Sequence, residues 1–115
     1  MKRVVWIGSS LEELKRFPDE LQRAFGYSLF KLQQGVLPPN AKPMSEVGQG
    51  VYRIAERFDR DTYRVAYIAR FQDAIYVLHA FKKKSHKGKS TPREVINLVK
   101  ERLKQAHESA KGENS

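Results

Sequence analysis

Three stretches in the second half of the chain carry the side-chain period of extended backbone. Over residues 51–58, Tyr52, Ile54 and Phe58 fall on one side and Arg53 and Arg57 on the other, which predicts a strand with one buried face. A turn at residues 59–61 leads into the second stretch. There Tyr63, Val65, Tyr67, Ala69 and Phe71 share one face and Arg64, Ala66, Ile68 and Arg70 share the opposite one. The third, residues 74–81, follows a short polar turn at Gln72-Asp73 and is apolar on both faces. Ile75, Val77 and Phe81 oppose Tyr76, Leu78 and Ala80, so this strand should be central or covered on both sides.

The first half reads differently. Residues 3–7, RVVWI, form a short apolar run and a first strand. Ser9 and Ser10 are each followed three residues later by a glutamate, Glu12 and Glu13, the capping-box spacing that opens a helix over 11–16. Pro18 disfavours helical geometry at Phe17 and suits the first position of a second helix, with Asp19 and Glu20 against its positive end. Leu21, Ala24, Phe25, Ser28, Leu29 and Leu32 recur at helical spacing, and Gly35 supplies a stop. These two helices predict a hairpin over a sheet, with Phe25, Tyr27 and Phe30 serving core or interface packing. The three prolines of VLPPNAKP make 36–43 a connecting loop, and 44–47 begins a strand before Gly48 and Gly50 bend the chain. Thr91 caps the last helix, with Pro92 in its first turn and Glu94 three residues after the cap. Its buried stripe is Ile96, Val99, Leu103 and Ala106. The expected fold is α+β in the order β-α-α-β-β-β-α. A twisted, mostly antiparallel sheet packs against the helical hairpin, with a C-terminal helix. One domain covers 1–108, and a disordered polar tail covers 109–115.

Composition narrows the functional classes. A chain of 115 residues suffices for one core, and the absence of cysteine removes disulfides and thiolate chemistry and fits the cytoplasm. No apolar run approaches the roughly 20 residues a membrane span needs, and MKRVVWIGSS has no signal-peptide core. No Walker-type glycine loop, GxGxxG or Cys/His zinc spacing occurs, so neither metal nor cofactor is expected. The net charge of +9 is uneven: residues 1–73 hold 12 basic and 9 acidic side chains, 74–93 hold 6 basic and none acidic, and 94–115 hold 4 of each. A cation run of that density suits a polyanion, because neutralised phosphates release their counterions.

The candidate chemistry lies there. Lys82, Lys83, Lys84, Lys87, Lys89 and Arg93 follow directly on the two-faced strand, and Arg53, Arg57, Arg64 and Arg70 alternate on strands. Together they can line one basic face. Arg64 has no acid at the same-face positions two residues away, so salt bridging within its own strand does not account for it. Among the histidines, His79 reads as a satisfied sheet residue, His107 is a minor late candidate, and His86, inside the cationic run, is the candidate for proton transfer. A lysine crowded by two others is a further one.

Tyr-Arg-Val-Ala-Tyr at 63–67, Val-Leu-His-Ala-Phe-Lys-Lys-Lys at 77–84 and Ser-Thr-Pro at 90–92 resemble the HigB-like, phage-derived group of the RelE/ParE toxin superfamily. The resemblance covers residues 2–107. It implies the toxin of a type II toxin–antitoxin pair, which cleaves mRNA on the ribosome without a metal ion, the ribose 2′-hydroxyl attacking the adjacent phosphate. It also implies a cognate antitoxin, often of helix-turn-helix type, that neutralises the toxin in a hetero-oligomer. Arg64 matches the superfamily arginine at the scissile phosphate. Arg53 falls where related toxins carry a basic residue, and Lys82, Lys83 and Lys84 match the basic end of the following strand. Arg64, Lys83, Lys84 and His86 are thus the expected catalytic set, with Arg53, Arg57, Lys82, Lys87, Lys89 and Arg93 binding RNA phosphates. The C-terminal tyrosine or histidine of the superfamily has no clear counterpart here. A gyrase inhibitor of ParE type, or a non-catalytic nucleic-acid-binding module, is the alternative on the same fold.

Overall fold

The computed structural model describes residues 1–69, 73–83 and 91–113. Its elements run β1 (Arg3–Trp6), α1 (Ser10–Lys15), α2 (Asp19–Gln33), β2 (Ala41–Pro43), β3 (Val51–Phe58), β4 (Asp61–Ile68), β5 (Ala74–Lys83) and α3 (Arg93–Glu113). One mixed sheet has the order β1-β5-β4-β3-β2. β1 lies parallel to β5 and every other pairing is antiparallel. The two-faced apolar strand is therefore internal, and 74–81 is buried throughout. The mostly antiparallel α+β expectation holds, with one strand more than the sequence suggested.

That strand is β2. The loop expected over 36–43 ends in three residues that pair with Tyr52, Arg53 and Ile54. Pro43 is compatible with this because the strand is at the edge of the sheet, where a missing N–H breaks no inner ladder. The strand expected to begin at 44 is instead a turn, in which the Met44 carbonyl accepts from the Val47 and Gly48 amides. Met44 and Val47 are buried under α3, and Gly48 packs close to Leu103.

Helix ends follow local rules. Pro18 stands just outside α2 in extended geometry, its carbonyl accepting from Leu21 and Gln22. At the other end Gly35 adopts φ +85°, Gly35 N–H donates to Leu32 O, and Val36 N–H donates to Lys31 O. This is the double bond of a Schellman stop, which needs a residue in the left-handed region. The β3–β4 hairpin closes on Asp59 and Arg60, both at positive φ, the two-residue turn whose twist matches the strands. α3 runs on to Glu113, past the boundary expected at 108, and Ala110 is buried against the core.

The sheet has a core on each face. Leu14 and Phe17 around α1, with Leu21, Phe25, Leu29 and Leu32 of α2, cover Ile54, Val65, Tyr67, Ile75, Val77 and Ala80. On the other face, Val99, Ala106 and Ala110 of α3, with Met44 and Val47, cover Val51, Ala66, Ile68, Tyr76, Leu78 and Phe81. Phe81 thus lies with Tyr76 and Leu78, opposite to the sequence expectation. The cause is a bulge: Ala66 pairs with His79 but Tyr67 pairs with Val77, so Leu78 is an extra residue. One unpaired residue reverses the alternation of everything after it.

Candidate functional site

Beyond Ala66 and Phe81 the α3-side face of the sheet changes from apolar to cationic. Arg64 lies between Ala55 on β3 and Phe81 on β5. Arg53 and Arg57 stand two residues either side of Ala55, and Lys83 two residues beyond Phe81. Same-face neighbours at such diagonals have Cα atoms roughly 7–8 Å apart. Arg64 is therefore the centre of a cross with cations at three corners, and His79, two residues before Phe81, lies at the fourth. The alternation of three strands builds this arrangement. The bulge is essential to it, because it brings Lys83 onto the Arg64 side.

Arg64 is half-buried and held. Its Nη1 donates to Thr91 Oγ1 at 3.3 Å, and its buried Nε has no hydrogen-bond partner among the described residues. Burial, then the positive charge of Arg53, lower its pKa, while Glu46 acts in the opposite sense. Burial also lowers the pKa of Lys83, with Arg64 and Arg53 adding to the effect. Cations gathered against their own repulsion, one with an orphaned donor, form a site suited to an anion.

Thr91 was expected to cap α3. The first turn of that helix is instead closed by the Pro92 carbonyl, which accepts from Val95 and Ile96, while the Thr91 hydroxyl engages Arg64. Arg93 is exposed at the start of α3. Lys82 is separated from the set. It points to the α2 side, with Nζ 3.0 Å from Asp61 and 5.8 Å from the Tyr63 ring centroid. The Asp61 carboxylate keeps its ammonium charged by raising its pKa. Arg70, Lys84, His86, Lys87 and Lys89 lie outside the described residues.

A second constellation was missed from sequence. β1 ends at Trp6, its last partner being Val77, so among the described residues the edge of β5 beyond that point has no strand beside it. α1 and α3 fill the gap with side chains. Arg102 Nη1 donates to Leu78 O at 3.0 Å and to Glu13 Oε1 at 2.9 Å, and its Nη2 donates to Ser9 Oγ at 3.0 Å. Glu13 Oε1 also accepts from Ala80 N–H at 3.2 Å and from His79 Nδ1 at 2.8 Å, while Ser9 Oγ donates to Oε2 at 3.0 Å. A carboxylate only accepts, so the proton of neutral His79 is on Nδ1. Hydrogen bonds from Arg102, His79 and Ala80 outweigh the opposing, larger effect of burial and hold the Glu13 carboxyl down to about 2. Burial lowers the His79 pKa despite Glu13. The expected capping box is thus not made: Ser9 of one candidate pair and Glu13 of the other are used by Arg102. An arginine beside the apolar stripe of a helix and a histidine in an apolar strand were the available signals.

His79 is, as expected, a satisfied sheet residue. His107 is exposed on α3. Among the described residues no group of three His, Asp or Glu side chains could hold a metal ion, and no helix is long and apolar enough to cross a membrane. No curated protein matches the chain. The description "Phage derived protein Gp49-like (DUF891)" matches residues 12–104, a span containing the cationic cross, Thr91, and Glu13, His79 and Arg102 of the second constellation. By that match over most of its length, the chain belongs to the Gp49-like phage-derived family, a RelE/ParE-like toxin family associated with toxin–antitoxin systems.

Proposed function

We propose that this protein is a HigB-like toxin that cleaves mRNA on the ribosome in the cytoplasm and is neutralised by a cognate antitoxin. The observation that carries the reading is Arg64, half-buried, tied to Thr91 and flanked diagonally by Arg53, Arg57 and Lys83. In the proposed reaction the ribose 2′-oxygen attacks the adjacent phosphorus, the 2′-hydroxyl proton passes to a base, and the bond to the 5′-oxygen breaks. That oxygen takes up a proton, leaving a 2′,3′-cyclic phosphate and a 5′-hydroxyl. Negative charge grows on the phosphoryl oxygens in the transition state, and a guanidinium already fixed opposite them stabilises it without reorganising. Arg64 can do so bidentately.

Lys83, whose lowered pKa eases exchange of its proton, carries one proton transfer, and Lys84 and His86 are the other candidates. Arg53 and Arg57 hold the flanking phosphates, aided by Lys87, Lys89 and Arg93. Lys82, engaged by Asp61 on the other face, has no part in this reading. The test is induced expression in a bacterial host, with primer extension on an abundant transcript. Growth arrest with discrete mRNA cuts, both lost in a folded Arg64→Ala variant, supports the nuclease. Cuts that persist in that variant refute the site. Arrest with intact mRNA favours the ParE-like alternative.

A further inference from the structure

Next to the cationic cross is a groove of about 510 Å³, formed by the first two turns of α3 and the turn that precedes β3. Arg93, Asn97 and Lys100 recur at three- and four-residue spacing, so they share one helix face. Half-buried Ile96 gives the groove an apolar surface, and Glu46 enters from the turn. Thr91 belongs both to this groove and to the Arg64 site. Glu46 is also close enough to Arg64 to influence its ionisation.

Glu46 is out of place beside a surface built for phosphate, because a carboxylate repels phosphate. Its position makes sense if the ligand also presents hydrogen-bond donors at that point. A nucleotide does so through its base, while its backbone needs cations such as Arg93 and Lys100. A groove of this size also falls within the range of small-molecule sites, roughly 300–1,000 Å³.

We propose that this groove takes the nucleobase beside the phosphate held by Arg64, and selects bases that carry an exocyclic amino group. Glu46 accepts from that group, Asn97 bonds the base edge, Ile96 contacts the ring face, and Arg93 and Lys100 meet the next phosphate. The inference rests on the Arg64 face being an RNA site. Adenine, cytosine and guanine carry the amino group and uracil does not, and a single-stranded RNA offers these edges unpaired.

The test is binding of fluorescently labelled 2′-O-methyl hexamers of A, C and U, which lack the attacking hydroxyl and cannot be cut. Wild-type protein should bind the A and C hexamers roughly tenfold more tightly than U, the discrimination expected of one good base-edge contact. In Glu46→Ala, which removes the acceptor, the difference should shrink to within about twofold, and Asn97→Ala should reduce it too, while the salt slope, set by phosphate contacts, is unchanged. Equal affinities in wild type, or a preference that survives Glu46→Ala, overturn the proposal. Failure of the groove and failure of the nuclease are separable. mRNA cuts with no base bias remove only the groove, and a base preference with uncut mRNA removes only the nuclease.

Discussion

Replacing Arg102 with methionine tests whether the Glu13 network holds the scaffold of the site. Methionine keeps an apolar stem in the α3 stripe and removes the guanidinium, which makes bonds to Glu13, Leu78 and Ser9. The change leaves a Glu13 carboxylate that is 15% exposed without its cation, and the Leu78 carbonyl without a donor at an open sheet edge. Removing one partner of a buried ion pair costs about 3–5 kcal/mol. The remaining solvent access of both side chains puts this pair at the lower end, about 3 kcal/mol. At a urea slope of about 2 kcal/mol per M, the unfolding midpoint should fall by about 1.5 M at pH 7.

The pH dependence sharpens the test. Glu13 has a folded pKa of about 2 against an ordinary 4.5, so its contribution is present above 4.5 and lost as pH falls towards 2. With a discount for solvent screening this is about 2–3 kcal/mol. The His79 pKa is also lowered, chiefly by burial, so its contribution is full above 6.5 and declines as pH falls below that. Both groups make the wild type weaken on acidification. In Arg102→Met the Glu13 share is smaller, so the two stabilities should converge between pH 5 and pH 2. A loss under 1 kcal/mol at pH 7, or a gap that stays constant on acidification, would refute the reasoning.

Other substitutions probe separate links. Tyr67→Phe should leave stability unchanged or raise it by about 1 kcal/mol in thermal unfolding, because the Tyr67 hydroxyl is buried, has no partner among the described residues, and has its pKa pushed up to about 12 by burial. Gly8→Ala should cost about 2–3 kcal/mol in the same assay, since φ is +56° and a Cβ would lie 2.9 Å from Arg102 Nε, which the network pins. Thr91→Val, which removes the hydroxyl that holds Arg64, should lower mRNA cleavage about tenfold with the melting temperature unchanged, and Thr91→Ser should restore it. Equal loss in the serine variant would rule out that positioning role.

Much of the architecture was readable from residues alone, because it depends on local periods. The alternation over 51–58 and from Tyr63 onward identified the strands and their faces, although β4 begins already at Asp61, and the helical spacing from Leu21 to Leu32 placed α2. Apolar residues on both sides of 74–81 announced a central strand. Arg64 stood out because no acid stands at the same-face positions two residues away on its own strand. Three features were not readable, each for the same kind of reason. β2 exists because β3 offers it an edge, although its own residues, proline included, argue for a loop. The bulge at Leu78 depends on how β4 and β5 align, and it alone decides that Lys83 joins Arg64 while Lys82 faces Tyr63. The link between Glu13, His79 and Arg102 spans 89 positions and arises where β1 stops short of the end of β5.

Local periods and cap residues follow from backbone geometry over a few residues, and those the chain already contains. Which cations meet, and which acid they meet, depends on strand register and on where a neighbouring strand ends. Those are set only when the whole sheet packs between its two layers of helices.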